Sequence, residues 1–430
     1  MQINEKVTIE KAWKMLFEKH DIVSKVLVNG FFKIKASEIN IVKEARLMAK
    51  FDQSTQLPEV FQHYNLSILP ISRSEYIIGN FNTYEKVLYQ KSKPKMVSIP
   101  ILETLDHTNL YSEASALLFA YNSGIIKDVM NSKDIHYTVS GRMSSGCFDY
   151  IINSNDSSQK IEVQNAQVEI DGGYEFDNGF CIIEAKNIAV DEILIRQLYY
   201  PYRLWTEKIS KQVIPVLMVY SNDIFHFFQY NFTEISNYNS LKLVSYKSYT
   251  FANELITLEE IIDVWKNTKY FIEPKTSFPQ ANFFGRIIDL LSILYEQELT
   301  REEVTIQYEF DLRQTDYYIA ACVYLGLVER MNINGESGCK LSPEAKHIMS
   351  LNFKQKNLLL IRKIFERPIF YKAFGLIIQN NKIPDKHEIC YIMNKSNLSI
   401  NPTTIDRRAS TVKSWLDWIL RVANTEECDE

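Results

Sequence analysis

Apolar residues in the first hundred positions follow a helical period and then a strand-like one. Residues 8–19 and 37–51 are predicted to be helices, and residues 66–71 and 76–78 to be strands. In the second helix the apolar positions with helical spacing are Ile39, Val42, Leu47 and Phe51. The pattern predicts a mixed N-terminal domain over residues 1–105.

Residues 106–272 alternate one helix, several strands, a second helix and further strands. This order is typical of an α/β domain in which helices cover a sheet. The segment 273–279, which contains two prolines, is predicted to be a linker. The predicted fold class is therefore α/β, of the mixed α+β kind, with a central domain flanked by an N-terminal mixed domain and C-terminal modules.

Residues 281–350 carry the pattern of a winged helix. The predicted helices and the hairpin turn that follows them are residues 283–295, 300–308, 313–325 and 334–338. Thr300 and Glu303 are spaced as a capping box. Ser342 and Pro343 are predicted to begin a further helix as its cap and its first residue.

Residues 351–425 are predicted to form a second helical or winged-helix module. Its last helix has one apolar stripe, formed by Ile405, Ala409, Val412, Leu416 and Ile419. Arg407 and Arg408 lie on other faces, as in a recognition helix that aims arginines at DNA. A surface helix with two solvated arginines has the same pattern, and the residues alone leave both interpretations open.

Charge is distributed unevenly along the chain. The net charge is −5, but residues 340–420 contain 14 Lys and Arg against 6 Asp and Glu, a net of +8, so the rest carries −13. The basic stretch could bind phosphate or could form solvated helical faces. With 46% hydrophobic and 23% charged residues, the composition is typical of a soluble globular protein.

Two further observations favour a cytoplasmic protein without a membrane anchor. No apolar run approaches the roughly 18 residues that a membrane helix needs, and the N-terminus lacks the regions of a signal peptide. The six scattered cysteines form no C-x-x-C pair. This argues against a zinc ribbon or a disulfide framework and fits a reducing compartment.

The segment with candidate chemistry is a predicted hairpin around Asn178 and Gly179. Asn-Gly between two strand-like runs predicts a two-residue turn in which both residues have positive φ. Counted outward from this turn, the predicted cross-strand pairs are Asp177 with Phe180, Glu175 with Ile182, Gly173 with Glu184, and Asp171 with Lys186. Asp171, Glu184 and Lys186 are therefore expected on one face of the sheet.

Two carboxylates and a lysine on one sheet face suit phosphodiester hydrolysis. Carboxylate oxygens can hold Mg²⁺, which neutralises the phosphate and lowers the pKa of a bound water. A lysine can orient that water or stabilise negative charge on the phosphate oxygens. Gly173 is expected to leave space beside Glu184. A structural salt bridge on an exposed hairpin would use the same Glu-x-Lys pattern.

Asp171 followed by Glu184, Ala185 and Lys186 resembles the motif of PD-(D/E)XK nucleases. Asp171 matches the first acid of the motif, Glu184 the second and Lys186 the lysine, whereas Ile170 stands where the family has proline. Further stretches resemble one branch of type II restriction endonucleases, and these are residues 44–52, 140–143, 196–203 and 220–223. The resemblance extends from the first predicted helix through the predicted winged helix.

The resemblance implies a type II restriction endonuclease that hydrolyses double-stranded DNA with Mg²⁺, or with Mn²⁺ in its place. It implies a nuclease domain at residues 106–272, DNA recognition by the flanking domains, and ends that carry 5′-phosphate and 3′-hydroxyl groups. Because cutting both strands takes two active sites, a homodimer is expected. A cognate DNA methyltransferase is the other partner that the resemblance implies.

The residues expected to act follow from the motif and its surroundings. The expected catalytic residues are Asp171, Glu184, Lys186 and Glu113, and the expected metal ligands are Asp171, Glu184 and Glu169. The expected DNA-binding residues are Arg46, Lys50, Arg73, Arg142, Arg196, Gln197, Arg407 and Arg408. Glu113 could instead be a carboxylate favoured by the helix dipole, and Arg142 could form a surface salt bridge.

Two other functions share parts of this pattern. A repair or transposition endonuclease would have the same catalytic face without cutting at a fixed sequence. A regulator that binds DNA through winged helices would carry a decayed nuclease fold, although a decayed site usually loses one motif residue. The chain has no G-x-S-x-G elbow and no Walker loop, which argues against a serine hydrolase and against ATP-driven cleavage.

Overall fold

The computed structural model describes residues 8–90, 92–105, 107, 110, 112–154, 157–251, 256–308, 312–396, 398 and 402–423. Helices and five sheets occur together in this part of the chain, as expected for a mixed α/β protein. Every expected site residue lies within it. Cys428 lies outside the described residues, and the other five cysteines are free thiols. None of the described helices has the length and apolar character needed to cross a bilayer.

The N-terminal region packs short helices against a three-stranded antiparallel sheet of order β1-β3-β2. Its elements are α1 (Ile9–His20), α2 (Ile22–Asn29), β1 (Phe31–Lys35), α3 (Ala36–Asn40), α4 (Ala45–Met48), a 3-10 turn (Ser54–Gln56), α5 (Glu59–His63), β2 (Ser67–Pro70) and β3 (Glu75–Gly79). At the centre of its core, Trp13, Phe17 and Phe61 meet edge to face. This region therefore has its own apolar core.

The predicted helix over residues 37–51 is wrong as a single helix, because α3 ends at Asn40 and α4 begins at Ala45. The side-chain oxygen of Asn40 accepts a hydrogen bond from the Ala45 N–H at 2.7 Å. It replaces the backbone carbonyl that a continuous helix would offer to that N–H. The chain after Met48 is consequently a loop, and this loop reaches the central sheet.

The central region is built on a seven-stranded sheet of order β5-β14-β13-β12-β10-β9-β6. The elements of this region are β4 (Tyr84–Lys86), β5 (Lys95–Met96), α6 (Glu113–Asn122), α7 (Ile125–Val129), β6 (Ile135–Ser144), β7 (Cys147–Asn153), β8 (Ser158–Gln164), β9 (Gln167–Phe176), β10 (Gly179–Lys186), β11 (Glu192–Leu194), α8 (Ile195–Lys208), β12 (Gln212–Ser221), β13 (Ile224–Phe232), β14 (Leu241–Thr250) and α9 (Leu258–Asn267). Strands β6, β9 and β10 are antiparallel neighbours, and α8 connects β10 to the parallel strand β12.

Strand β10 is buried along its whole length between β9 and β12. Cys181, Ile183 and Ala185 face an apolar core that includes α6, as predicted. The opposite face starts apolar and ends with Glu184 and Lys186, which are 9% and 7% exposed. Two ionisable groups therefore stand at the end of an otherwise apolar strand.

The turn between β9 and β10 differs from the predicted one. Phe176 pairs with Gly179, so Asp177 and Asn178 form the turn, and neither has positive φ. A Cβ atom on Gly179 would lie 2.8 Å from the Phe176 ring and 3.1 Å from the carbonyl oxygen of Gln212. Glycine is thus required by close packing at the first position of β10.

The register of the hairpin is shifted by two residues from the prediction. Ile182 pairs with Gly173 rather than with Glu175. Because side chains alternate with a period of two, this shift leaves the three motif residues on the predicted face. The expected role of Gly173 as space beside the second acid is wrong, since a Cβ there would lie 2.8 Å from Val139 and 2.9 Å from the Phe180 ring.

The C-terminal region begins with a helix, a strand, two helices and a hairpin. Its elements are α10 (Phe284–Glu296), β15 (Leu299–Thr300), α11 (Arg301–Gln307), α12 (Leu312–Leu325), β16 (Val328–Ile333), β17 (Glu336–Leu341), α13 (Pro343–Met349), α14 (Phe353–Phe365), α15 (Pro368–Asn380), α16 (Lys386–Asn394) and α17 (Pro402–Val422). Thr300 and Glu303 form the predicted capping box, and Ser342 caps α13. Asn334 and Gly335 have positive φ at the hairpin turn.

Buried polar contacts join the C-terminal region to the central sheet. Asp289 on α10 accepts hydrogen bonds from the Ala189 N–H at 2.9 Å and from the Ser221 hydroxyl at 2.7 Å. Lys356 on α14 forms an ion pair with Asp223 at 2.6 Å. The predicted linker, residues 273–279, has no helix or strand but is itself packed, because its phenylalanine at position 278 is buried.

Some basic residues of the C-terminal region form ion pairs with acidic residues of the same region. Lys363 lies 3.0 Å from Glu344 and 2.7 Å from Glu366. Lys386 lies 2.6 Å from Asp406. These ion pairs reduce the charge that this region can offer to phosphate.

Burial raises the pKa of Asp289 from 3.8 to about 7, although its hydrogen bonds and the charges of Arg286 and Lys356 act in the opposite direction. Between these two values the native chain holds a proton that the unfolded chain releases. The contribution of Asp289 to the free energy of unfolding therefore falls as pH rises through this window, by an amount on the order of a few kcal/mol, and does not change further above it.

We expect Asp289→Asn to remove this pH dependence. The amide is neutral at every pH, keeps a carbonyl oxygen for the Ala189 N–H and can donate to the Ser221 hydroxyl. The free energy of unfolding, measured by urea titration, should shift in favour of the variant relative to the wild-type chain as pH rises from about 5 to about 7.5. Parallel curves for the two proteins would contradict a raised pKa at Asp289.

Candidate active site

A cleft of about 670 Å³ opens between the N-terminal region and the central sheet. Its lining residues from the N-terminal region are Arg46, Ala49, Lys50, Asp52, Pro70, Ser72, Arg73 and Tyr76. Those from the central region are Glu113, Arg142, Met143, Gln167, Val168, Glu169, Asp171, Glu184, Lys186, Arg196, Gln197, Tyr200 and Pro201. The cleft thus brings together every expected site residue except Arg407 and Arg408.

The three motif residues meet where β9 and β10 stop pairing. The last backbone pair between these strands is Ile183 with Gly172. Beyond it, Asp171 Oδ2 accepts a hydrogen bond from the Ala185 N–H at 2.8 Å. Lys186 Nζ lies 3.1 Å from Oε1 of Glu184. The end of the hairpin therefore presents two carboxylates and an ammonium group to the cleft.

Burial raises the pKa of Glu184 well above its ordinary value of 4.5. The nearby carboxylates of Asp171, Glu113 and Asp52 raise it further, and the Lys186 ammonium opposes them. Burial is also the main cause of the raised pKa of Asp171. The site therefore favours protons or another cation on these carboxylates.

Gln197, in the first turn of α8, braces the second acid of the motif. Its Nε2 donates a hydrogen bond to Glu184 Oε1 at 2.7 Å. Gln197 Oε1 and Arg196 Nε are buried and have no hydrogen-bond partner among the described residues. Since buried polar atoms usually have partners, Gln197 Oε1 marks a place for water or a ligand near Glu184.

The two accessory acids differ in their surroundings. Glu113 is the first residue of α6, and its charge raises the pKa of Glu184, which lines the same cleft. Glu169 is exposed on β9 and forms an ion pair with Arg142, whose Nε lies 3.1 Å from Glu169 Oε1. The surface salt bridge considered for Arg142 is therefore present, with Glu169 as its partner.

Five of the eight expected DNA-binding residues lie outside the central region, in two groups. Arg46, Lys50 and Arg73 are exposed on the N-terminal wall of the cleft. Arg407 and Arg408 lie on α17, away from the cleft lining. Of these two, Arg407 is exposed, whereas Arg408 donates a hydrogen bond to the side chain of Gln280.

Asp52 is the one charged residue of the cleft lining that was not expected from the sequence. It is only 6% exposed, and Lys50 Nζ lies 3.9 Å from its Oδ2. It lines the cleft with Asp171 and Glu184, and its charge raises the pKa of both carboxyl groups. In the sequence, Asp52 is distinguished only as the acidic residue at the end of the stretch 44–52, which resembles type II restriction endonucleases.

Asp171 and Glu184 offer the oxygen ligands that Mg²⁺ prefers. Within the described ranges, no three His, Cys, Asp or Glu side chains are grouped closely enough to hold a metal ion by themselves. Mg²⁺ is commonly held by one or two carboxylates together with water and substrate phosphates. The two carboxylates, with the unpartnered Gln197 Oε1 beside them, therefore fit an ion bound jointly with substrate.

Three family models match separate parts of the chain, and each is described as a domain of unknown function. Residues 10–78 match DUF6996, residues 79–250 match DUF6997 and residues 286–424 match DUF7226. The two walls of the cleft thus come from two different matched ranges. No curated protein and no solved structure matches the chain significantly.

We expect divalent cations to bind the cleft more tightly as pH rises. Because the pKa values of Glu184 and Asp171 are raised, a metal ion must displace protons from them, and this becomes easier at higher pH. Mn²⁺ binding, measured from the electron paramagnetic resonance signal of the free ion, should strengthen as pH rises.

The matched variants are Glu184→Gln and Glu175→Gln. The first should lose most of the pH-dependent binding. The second removes a carboxylate of β9 that pairs with Lys211 and does not line the cleft, so it should bind as the wild-type chain does. Equal Mn²⁺ binding by Glu184→Gln and the wild-type chain would contradict this site.

Proposed function

We propose that the protein is a metal-dependent DNA endonuclease of the PD-(D/E)XK type and acts as a type II restriction endonuclease. The observation that carries the proposal is the meeting of Asp171, Glu184 and Lys186 in a cleft whose opposite wall presents Arg46 and Arg73. Phosphodiester hydrolysis needs carboxylates for a cation, a cationic group near the phosphate and basic residues for the DNA backbone.

The roles of the side chains follow from their contacts. Asp171 and Glu184 would hold Mg²⁺ or Mn²⁺, which when bound neutralises the scissile phosphate and lowers the pKa of a water ligand. Lys186, beside Glu184, would stabilise negative charge on the phosphate oxygens as water attacks and the 3′-oxygen leaves. Gln197 would keep the Glu184 carboxylate in a fixed orientation.

Duplex DNA would be held by the walls of the cleft and by the C-terminal region. Arg46, Lys50 and Arg73 would contact backbone phosphates, which position DNA without reading its sequence. The order of helix, strand, two helices and hairpin from α10 to α13 suits a winged helix, which would supply the base contacts.

A restriction function also requires a second active site and a means of protecting host DNA. One chain has one set of the three motif residues, so we propose a homodimer that cuts both strands. A cognate DNA methyltransferase would modify the same target sequence. Such an enzyme would act in the cytoplasm, where its DNA substrate is found.

A DNA-binding regulator with an inactive nuclease fold is the second candidate. In its favour, Lys186 and Gln197 both contact Oε1 of Glu184, so part of the carboxylate charge is already compensated within the chain. Such a regulator would bind DNA without cutting it. A repair or transposition endonuclease, in contrast, would cut DNA without a fixed site.

Lys186→Ala is expected to slow DNA cleavage by about 100-fold or more, because it removes the cation beside the scissile phosphate. The assay is cleavage of mixed plasmid DNA with Mg²⁺ and with EDTA. The matched control is Lys211→Ala, which removes a lysine outside the cleft lining that pairs with Glu175.

Discrete bands that require both Mg²⁺ and Lys186 would support the restriction enzyme. A Mg²⁺-dependent smear would favour the repair or transposition endonuclease. DNA binding without cutting, with Mn²⁺ as well as Mg²⁺, would identify the regulator as the better description and contradict the nuclease.

Alanine at Arg46, Lys50 or Arg73 should weaken DNA binding and reduce its dependence on salt. Removal of one side chain that touches a phosphate should lower the slope of log affinity against log salt by about 1. Fluorescence anisotropy with labelled duplex in EDTA measures this without cleavage. Arg407→Ala in the same assay tests the exposed arginine of α17, and unchanged slopes for the three cleft variants would remove them from the DNA-binding surface.

A further inference from the structure

The three regions of the chain meet at one buried guanidinium group, that of Arg286 on α10. Its Nε donates a hydrogen bond to the Ala189 carbonyl oxygen at 3.0 Å, and its Nη2 donates to Gln53 Oε1 at 3.1 Å. The same Nη2 lies 3.5 Å from Asp191 Oδ2. Arg286 is 3% exposed, so these bonds form away from solvent.

The residues that Arg286 contacts lie directly behind the two walls of the cleft. Gln53 follows Asp52, the buried acid of the N-terminal wall. Ala189 comes three residues after Lys186, which ends β10. Arg286 does not line the cleft itself, so any effect it has on catalysis must act through these neighbours.

Asp289, three residues after Arg286 on the same face of α10, completes the contact with Ala189. It accepts the Ala189 N–H, while Arg286 donates to the Ala189 carbonyl oxygen. Both backbone polar groups of this residue are therefore held by the C-terminal region. The chain that follows β10 is therefore hydrogen-bonded to α10 on both sides of the Ala189 peptide unit.

We propose that Arg286 is a positioning residue for the active site, and that the C-terminal region sets the spacing of the cleft walls through it. This inference rests on the nuclease function proposed above. The planar guanidinium can bridge Gln53 and Ala189 at once, which the single ammonium of a lysine cannot do with the same geometry. The side chain of Asp191 is 64% exposed, so the ion pair to it contributes little.

Cleavage depends on the spacing of the walls more strongly than DNA binding does. Displacing catalytic groups by about 1 Å can slow a reaction by about 100-fold. Phosphate contacts made by the exposed Arg46, Lys50 and Arg73 tolerate such a shift, because long side chains in solvent can follow the DNA. Loss of the Arg286 bridge should therefore lower the rate of cleavage while the affinity for DNA is kept.

Gln53 provides the most selective test, since changing it leaves the contact between Arg286 and Ala189 in place. Gln53→Ala removes the acceptor on the N-terminal wall. Gln53→Glu keeps an oxygen for Arg286, whose guanidinium lies 3.1 Å away and compensates the added negative charge. It breaks no bond of the amide nitrogen, because Gln53 Nε2 has no partner in the described part of the chain. Asp191→Asn is the matched control, since it weakens the exposed ion pair of the same guanidinium.

The experiment compares single-turnover cleavage at saturating DNA, DNA affinity in EDTA and urea unfolding for the full chain. Gln53→Ala should cleave about ten-fold more slowly than the wild-type chain with an affinity changed less than about two-fold. Gln53→Glu and Asp191→Asn should cleave at the wild-type rate. Wild-type cleavage by Gln53→Ala, or a slowing that Gln53→Glu does not rescue, would overturn the positioning role.

Hydrogen exchange separates this inference from the nuclease function itself. The Ser54 N–H donates to the side chain of Glu192 and so reports on the junction between the two walls. Gln53→Ala should speed exchange at Ser54 but not at Leu69 in β2. Faster exchange at Ser54 together with a wild-type chain that cuts no DNA would support the bridge and overturn the nuclease. Unchanged exchange at Ser54 would overturn the bridge.

Discussion

The burial of Glu184 is the constraint on which the arrangement of the cleft depends. A carboxylate at the end of a fully buried strand is costly unless other groups compensate its charge. Lys186 and Gln197 both contact it, and burial raises its pKa well above the ordinary value even with the Lys186 ammonium beside it. The buried carboxylate links the fold to the proposed chemistry, because a bound metal ion would add to the charge compensation that Lys186 and Gln197 provide.

The cleft depends on contacts between regions that are distant in the sequence. The N-terminal region supplies Asp52 and basic side chains to the cleft, and the central sheet supplies the motif residues. Helix α10 is hydrogen-bonded to residues next to both walls, through Arg286 to Gln53 and through Arg286 and Asp289 to Ala189. These contacts are buried and polar, so they are directional in a way that apolar packing is not. Catalysis would therefore require all three regions together.

Features that depend on near neighbours in the sequence could be predicted. The capping box at Thr300 and the shared face of the three motif residues are of this kind, since helix and strand periods determine them. The hairpin register was not predicted, because the Asn-Gly pattern placed the turn one residue too late: Asp177 and Asn178 form it, and Gly179 packs against Phe176 as the first residue of β10. The place of Asp52 could not be predicted either, because it results from a contact between two regions.

The most direct test of the account is the position of Mn²⁺ in a crystal of the protein with duplex DNA, found by its anomalous scattering. If the cleft is the nuclease site, a peak should lie between the carboxylates of Asp171 and Glu184, with a phosphate of the DNA beside it and Lys186 within reach. DNA bound outside the cleft, together with an Mn²⁺ peak away from Asp171 and Glu184, would contradict the assignment of this cleft as a metal-dependent nuclease site.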